Sequence, residues 1–223
     1  MPRNEFQSEL DALRADVLDL GAVVLTRLEK AIAALTENDR TLAARIADSD
    51  HEINERYLAL ESDCIDLFAL QQPVASDLRF VAASFKILTD LERIADLAAN
   101  LAAYVVTADG EIDWLPQISV SDIAAAAVEM VEDALTAYEE SDSDLCGAVA
   151  ARDDDLDGRC ERAAQGLIRS LVDRAPTDAL EQELAEITRL LLVVRDLERI
   201  GDHAVNIAAR TRYMVESDDS LIY

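Results

Sequence analysis

Residues 90–103, DLERIADLAANLAA, recur with few changes as residues 196–209, DLERIGDHAVNIAA. Ten of the 14 positions are identical and the copies lie 106 residues apart, so the chain contains two versions of one unit. The polar positions shared by both copies, besides Arg93/Arg199, are Asp90/Asp196, Glu92/Glu198, Asp96/Asp202 and Asn100/Asn206. Apolar positions can match because both copies pack alike, whereas acids repeated at helical spacing indicate a site that occurs twice.

The composition favours long helices with an aliphatic core. Of 223 residues, 51% are hydrophobic and only 4% aromatic, with six glycines and four prolines. No apolar run approaches the roughly 20 residues of a membrane span, and the first residues lack the apolar core of a signal peptide. We therefore expect a cytoplasmic protein.

The net charge of −26 restricts the possible partners. The chain has 46 acids against 20 lysines and arginines, and such a surface repels nucleic acids and anionic membranes. The same composition is typical of proteins from concentrated salt, where screening weakens self-repulsion. We expect a halophilic source, and we expect many of the acids to serve solubility.

Few residues could bind a soft metal. The three cysteines, Cys64, Cys146 and Cys160, form no CxxC pair, which is typical of reduced thiols. The two histidines, His51 and His203, are too few for a histidine-rich zinc or iron site, and both are predicted to lie on the surface.

The periodicity predicts an all-α fold of two tandem antiparallel three-helix bundles related by the internal repeat. The first unit spans residues 5–107, a linker spans 108–118, and the second unit spans 119–216. In the first unit we expect a helix over 5–37, a second helix capped by Asp39 and ending near Pro73, and a third starting at Ser76 or Asp77. The second unit repeats this plan, with a break near Pro176.

The third helices carry two carboxylate stripes, Glu92 with Asp96 and Glu198 with Asp202. An α-helix turns about 100° per residue, so acids at i and i+4 share a face and repel each other. A bound cation removes that repulsion, and carboxylates suit hard cations: magnesium, calcium, manganese or oxidised iron. The sequence predicts metal ligands at these four residues.

The second helices could supply the other half of each site. They align at a spacing of 103 residues, which pairs Asp50 with Asp153 and Asn54 with Asp157. These residues lie within or beside the apolar face, where an acid needs a partner. That partner could be a metal shared with the third helix, or an arginine such as Arg93 or Arg199.

The remaining shared polar residues are predicted to have structural roles. Asp90 and Asp196 lie on the opposite flank of the helix from the stripe, and we expect them to pair with arginine. Asn100 and Asn206 could pack between helices or act as further ligands.

Together these residues resemble the PhoU family of phosphate-signalling proteins. The resemblance covers essentially the whole chain. It depends on QQPVASDLR at residues 71–79, on the DLERIAD and DLERIGD motifs, and on the following Asn100 and Asn206. It implies two three-helix bundles that carry metal clusters on E(D)xxxD motif pairs. Those motifs correspond to Glu92/Asp96 and Glu198/Asp202, with partner motifs at Asp50/Asn54 and Asp153/Asp157. Asn54 departs from the acid expected at its position.

The resemblance further implies a non-enzymatic negative regulator of phosphate uptake and signalling. Its expected partners are the ATPase subunit of the phosphate ABC transporter and a signalling kinase or other regulator, which would place it at the inner face of the membrane. Two alternatives stay open at this point. A carboxylate-bridged oxidase or storage bundle would need ExxH pairs, but Ala95 and Gly201 stand at those positions. A purely structural helical homodimer would need no metal.

Overall fold

The computed structural model describes residues 3–47, 50–108, 119–172 and 180–222, without the side chains of residues 3, 50 and 180. The helices, in chain order, are α1 (Arg3–Glu37), α2 (Arg40–Ala47), α3 (Asp50–Asp66), α4 (Ser76–Val106), α5 (Val120–Glu140), α6 (Ser143–Ala150), α7 (Asp153–Val172) and α8 (Leu180–Glu216). The predicted all-α class is confirmed, and the elements of the first unit recur in the second.

Four long helices form the centre of the molecule. α4 packs against both α1 and α8, and α5 packs against both α8 and α1, which closes a ring of four. The shorter helices lie outside this ring, with α2 and α3 against α1 and α4, and α6 and α7 against α5 and α8. The two bundles therefore share one continuous apolar core. The 3.6-residue spacing of apolar residues turns one face of each helix towards it.

The second helix of the second unit is not continuous, which corrects the prediction of three unbroken helices in that unit. In the second unit, a turn at Ala151 and Arg152 separates α6 from α7, and the amide of Arg152 donates to the Val149 carbonyl at 3.1 Å. Periodicity did not reveal the turn because Val149 and Leu156, on either side of it, both face the core. The turn makes Asp153 the first residue of α7, where the helix dipole favours an acid.

An aspartate caps the N-terminus of α2 and another caps the N-terminus of α6. The predicted cap Asp39 is confirmed, because its Oδ1 accepts hydrogen bonds from the amides of Thr41 and Leu42, each at 2.9 Å. Asp142, which lies 103 residues later, does the same for the amides of Asp144 and Leu145. A carboxylate in this position satisfies amides that have no partner inside the helix.

The predicted break near Pro73 is also confirmed. α3 runs into a π-helical turn, Leu67–Gln71, and the chain then reverses through Gln72, which has a φ of 47°. α4 begins at Ser76, as predicted. The predicted break near Pro176 and most of the predicted linker, residues 109–118, lie outside the described residues.

A buried tyrosine joins the two units across the ring. Tyr138 of α5 is fully buried, and its hydroxyl lies 2.7 Å from the Ser84 hydroxyl of α4. The guanidinium of Arg14 on α1 covers the rings of Phe80 and Tyr138 and donates to the Tyr138 carbonyl at 2.7 Å. These contacts combine cation–π attraction with hydrogen bonding to hold α1, α4 and α5 in register.

Within the described residues, no helix combines the length and the hydrophobicity that crossing a membrane requires.

Candidate metal centre

Three carboxylates of the second unit converge where α7 meets α8. Asp153 and Asp157 are one turn apart on α7, and Asp202 faces them from α8. One oxygen from each carboxylate can be chosen so that all three lie within 4.8 Å of one another. The structure thus brings together three of the residues that the sequence predicted as ligands.

Glu198 adds a fourth carboxylate beside this group. It lies one turn before Asp202 on α8, so both side chains share a helix face. Partial burial raises the pKa of Glu198, and the charges of Asp157, Asp202 and Asp153 raise it further. We call Asp153, Asp157, Glu198 and Asp202 the carboxylate cluster.

The like charges of the cluster are only partly compensated. Burial raises the pKa of Asp153 to about 6, and the charges of Asp157, Asp202 and Asp154 add to the rise. Burial and Asp157 also raise the pKa of Asp202, although His203 and Arg199 oppose them. The Oδ1 atom of Asp153 is buried and has no hydrogen-bond partner among the described residues. A buried carboxylate oxygen without a donor is unfavourable unless a cation or a proton neutralises it.

The chemistry of the cluster selects hard cations. The nearby thiol of Cys160 is buried, which together with the charge of Glu198 raises its pKa to about 12, so it stays protonated and is a poor ligand. The donors that the cluster offers are therefore carboxylate oxygens, which suit magnesium, calcium, manganese or ferric iron. The alternative of an arginine partner is met only in part: the charge of Arg199 lowers the pKa of Asp202, but no ion pair joins Arg199 to the cluster among the described residues.

The described side chains of the first unit do not form an equivalent cluster. Arg93 lies beside both stripe acids on α4, with its Nε 3.6 Å from Glu92 and its Nη1 3.8 Å from Asp96. Asn54 stands where the second unit has Asp157, and the side chain of Asp50 lies outside the described residues. Among the described side chains, no first-unit set places three such oxygens equally close.

The two aspartates on the opposite flank join the units instead. Asp196 is fully buried and pairs with Arg195 at 2.7 Å, as the sequence predicted. Among the described residues Asp90 pairs with no arginine: its Oδ1 accepts hydrogen bonds from His203 at 2.9 Å and from Asn206 at 3.4 Å. The prediction that His203 lies on the surface is therefore wrong, since the packing of α4 on α8 leaves its side chain only 16% exposed.

The second histidine and the two shared asparagines lie in different surroundings. His51 is exposed, as predicted, and Asn100 is exposed, whereas Asn206 packs between helices. Sequence reasoning missed Tyr104, which donates to Asp196 from α4 at 2.8 Å. No pattern in the sequence could have found it, because the two residues are 92 positions apart and meet only when α4 packs on α8.

Known proteins match the chain in both of its units. The family model of the PhoU domain matches it twice, over residues 17–105 and 120–211. The chain is 32% identical over 217 residues to the phosphate-specific transport system accessory protein PhoU homolog of Pseudomonas putida, covering 96% of this chain and 82% of the relative. It is 28% identical to phosphate-specific transport system accessory protein PhoU of Escherichia coli, covering 96% and 87%.

Solved structures agree with these matches. The crystal structure of PhoU from Pseudomonas aeruginosa superposes with a TM-score of 0.85 at 29% identity, covering 96% of this chain and 100% of that one. The phosphate transport system regulatory protein PhoU from Streptococcus pneumoniae gives a TM-score of 0.86 at 29% identity, covering 96% and 98%.

Proposed function

This chain belongs to the PhoU family, and from that membership we propose that it is a negative regulator of phosphate uptake and phosphate signalling. The observation that carries the proposal is the extent of the similarity: both units match, and relatives named as accessory proteins of phosphate-specific transport align over 96% of the chain. The role is regulatory rather than catalytic.

The regulator acts by binding other proteins at the inner face of the membrane. Its first partner is the ATPase subunit of a phosphate ABC transporter, and a signalling kinase or another regulator is a second. The net charge of −26 supports protein partners over nucleic acid, because a polyanion is repelled by such a surface.

The test is phosphate uptake in cells deleted for the gene and grown in ample phosphate. We expect uptake to stay high in the deletion strain and to fall again when the wild-type gene is restored. Uptake that shuts down normally without the gene would contradict the proposal, provided that no second copy of the family is expressed.

We also propose that the carboxylate cluster binds a metal ion. Asp153, Asp157 and Asp202 would hold it, with Glu198 as a fourth ligand. The ion would offset both the burial and the mutual repulsion that raise the pKa values of Asp153, Glu198 and Asp202. The observation that supports the site is the buried Oδ1 of Asp153, which lacks a donor among the described residues. A bound cation would lock α7 to α8 and so hold the surface presented to a partner.

Calorimetric titration with Mn²⁺ tests this second proposal in buffer of high ionic strength. We expect saturable binding that is lost in a variant carrying Asp153→Asn and Asp157→Asn. Asp154→Asn is the matched control, since Asp154 is exposed on the same helix and outside the cluster. Equal binding by all three proteins would rule the cluster out, and oxidase activity of the loaded protein would favour the enzyme alternative.

A further inference from the structure

A groove lies between α1 and the end of α3, on the first unit. It encloses about 360 Å³ and is lined by residues of α1, α3 and the π-helical turn, all of them within the described part of the chain. It is separate from the carboxylate cluster, which belongs to α7 and α8. We call it the acidic groove.

The floor of the acidic groove is apolar. Leu13 of α1 and Leu67 of the π-helical turn form its base and are almost fully buried. Leu70 stands at its mouth and is 75% exposed, although it is a large hydrophobic side chain. Val74, in the loop that follows, is also exposed, at 71%. An exposed leucine above an apolar groove marks a binding site more often than an isolated exposed leucine does.

The charged residues at the rim of the acidic groove are all acidic. Glu9 and Asp16 line it from α1, and Asp63 and Asp66 line it from α3. None of these four carboxylates forms a hydrogen bond or ion pair within the described part of the chain, and no lysine or arginine lines the groove. Four like charges around one apolar floor favour a positively charged occupant.

The acidic groove is a property of the first unit and does not simply reflect the acidic composition. At the 103-residue spacing, Asp63 and Asp66 correspond to Gly166 and Arg169. The floor is lost as well, because Leu67 and Leu70 correspond to Ser170 and Asp173. A solubility surface would be acidic in both units, whereas the two acids and the two leucines at the end of α3 are replaced in the second unit.

We propose that the acidic groove docks a basic amphipathic helix of a partner protein. Leucine-like anchors spaced at i, i+3, i+4 and i+7 would fill the apolar floor, and lysines or arginines beside them would pair with the rim. An anionic membrane surface or a nucleic acid is excluded by the charge of the rim. The inference rests on the proposed function, since a regulator of a transporter needs a surface that recognises a protein segment.

The probe is a synthetic amphipathic peptide with leucines at that spacing and lysines on its flanks, titrated by fluorescence anisotropy. We expect saturable binding that weakens by about tenfold or more in a Leu70→Ser variant and in a variant carrying Asp63→Lys and Asp66→Lys. The controls are Leu58→Ser, at a leucine 59% exposed elsewhere on α3, and Glu132→Lys with Glu139→Lys on α5. Circular dichroism checks that every variant keeps its helix content.

Three results would overturn the proposal: no binding to the wild-type protein, equal weakening by groove and control variants, or loss of a homodimer on Leu70→Ser. The last would mean that a second copy of the chain occupies the groove.

Cells separate this inference from the proposed function. In a deletion strain grown in ample phosphate, we expect the control variants to restore repression of uptake and the groove variants to leave uptake high. If deletion raises uptake and the groove variants restore repression fully, the groove proposal is wrong and the proposed function stands. If deletion has no effect, the proposed function fails, and the peptide titration alone decides the groove.

Discussion

Asp90 and Asp196 occupy equivalent positions of the two units, and each carboxylate accepts a hydrogen bond from the third helix of the other unit. His203 of α8 lies 2.9 Å from Asp90, and Tyr104 of α4 donates to Asp196 at 2.8 Å. The repeated motif therefore has two functions on each third helix. One flank of the helix joins α4 to α8, and the opposite flank carries the carboxylate stripe.

Removing the buried Asp196 carboxylate should lower the free energy of unfolding more than removing the Tyr104 hydroxyl that donates to it. Asp196→Ala leaves the Tyr104 hydroxyl without its acceptor and should lower the free energy of unfolding by about 1–3 kcal/mol. Tyr104→Phe keeps the Arg195–Asp196 pair and should cost about 1 kcal/mol. Urea unfolding monitored by circular dichroism measures both, with the exposed Asp154→Ala as control. Equal losses in all three variants would contradict the structure.

Gly201 is predicted to be necessary for the close packing of α8 on α7. A Cβ atom at this position would lie 2.2 Å from Cδ2 of the buried Leu156. Gly201→Ala should therefore destabilise the protein by about 1 kcal/mol or more, because overpacking outweighs the gain in helix propensity.

Gly166→Ala is the matched control for this substitution. Gly166 is a helical glycine on α7, and a Cβ atom there would have open space around it among the described residues, with no side chain within 4 Å. This change should raise the free energy of unfolding by up to about 1 kcal/mol, because alanine has the higher helix propensity and meets no neighbouring atom. Thermal unfolding compares the two variants, and stabilisation by both would show that Leu156 moves aside without penalty.

The carboxylate cluster should make the metal-free protein less stable as the pH rises. The pKa of Asp153 is about 6 in the folded protein against an ordinary 3.8, so the folded state binds more protons between these values. The contribution of Asp153 to stability therefore falls from about pH 4 to about pH 6 and is constant above that. The raised pKa values of Glu198 and Asp202 act in the same direction.

Urea unfolding in EDTA at several pH values measures this effect as the difference between wild type and Asp153→Asn. The variant should be the more stable protein above about pH 6 and lose this advantage near pH 4. Asp154→Asn should deviate much less from the wild type, because the charge of Asp154 makes the smallest contribution to the raised pKa of Asp153. A difference that does not change with pH would contradict the raised pKa of Asp153.

The two units should differ in their response to metal. Glu198→Gln removes a member of the carboxylate cluster, so we expect it to reduce the increase in thermal midpoint that Mn²⁺ produces. Glu92→Gln should leave most of that increase, because Arg93 already lies beside the first-unit stripe and Asn54 replaces an acid. Differential scanning calorimetry with and without Mn²⁺ tests this, and equal loss in both variants would show two equivalent sites.

Salt should stabilise the fold. With a net charge of −26, self-repulsion opposes the compact state, and screening reduces it. The thermal midpoint should rise steadily with KCl concentration in the presence of EDTA, which removes any contribution from divalent metal. A midpoint independent of KCl would argue against adaptation to a salt-rich source.

The sequence by itself determined the helices, their order and the ligand candidates. Apolar spacing, the Asp39 cap and Pro73 are local signals, and each acts within a few residues along the chain. The repeat showed that Glu198 and Asp202 are part of a shared helix face, and helical geometry placed Asp153 and Asp157 one turn apart.

Only the tertiary structure decided which acids meet and which are neutralised. The contact of His203 with Asp90 and the hydrogen bond of Tyr104 to Asp196 depend on how α4 packs on α8. The meeting of Asp153 and Asp157 with Asp202 depends on how α7 packs on α8. Periodicity tells which face of a helix is buried, but it does not tell which neighbour covers that face. The same limit hid the acidic groove, because its four carboxylates come from two helices separated by more than 40 positions and converge only when α3 folds back on α1.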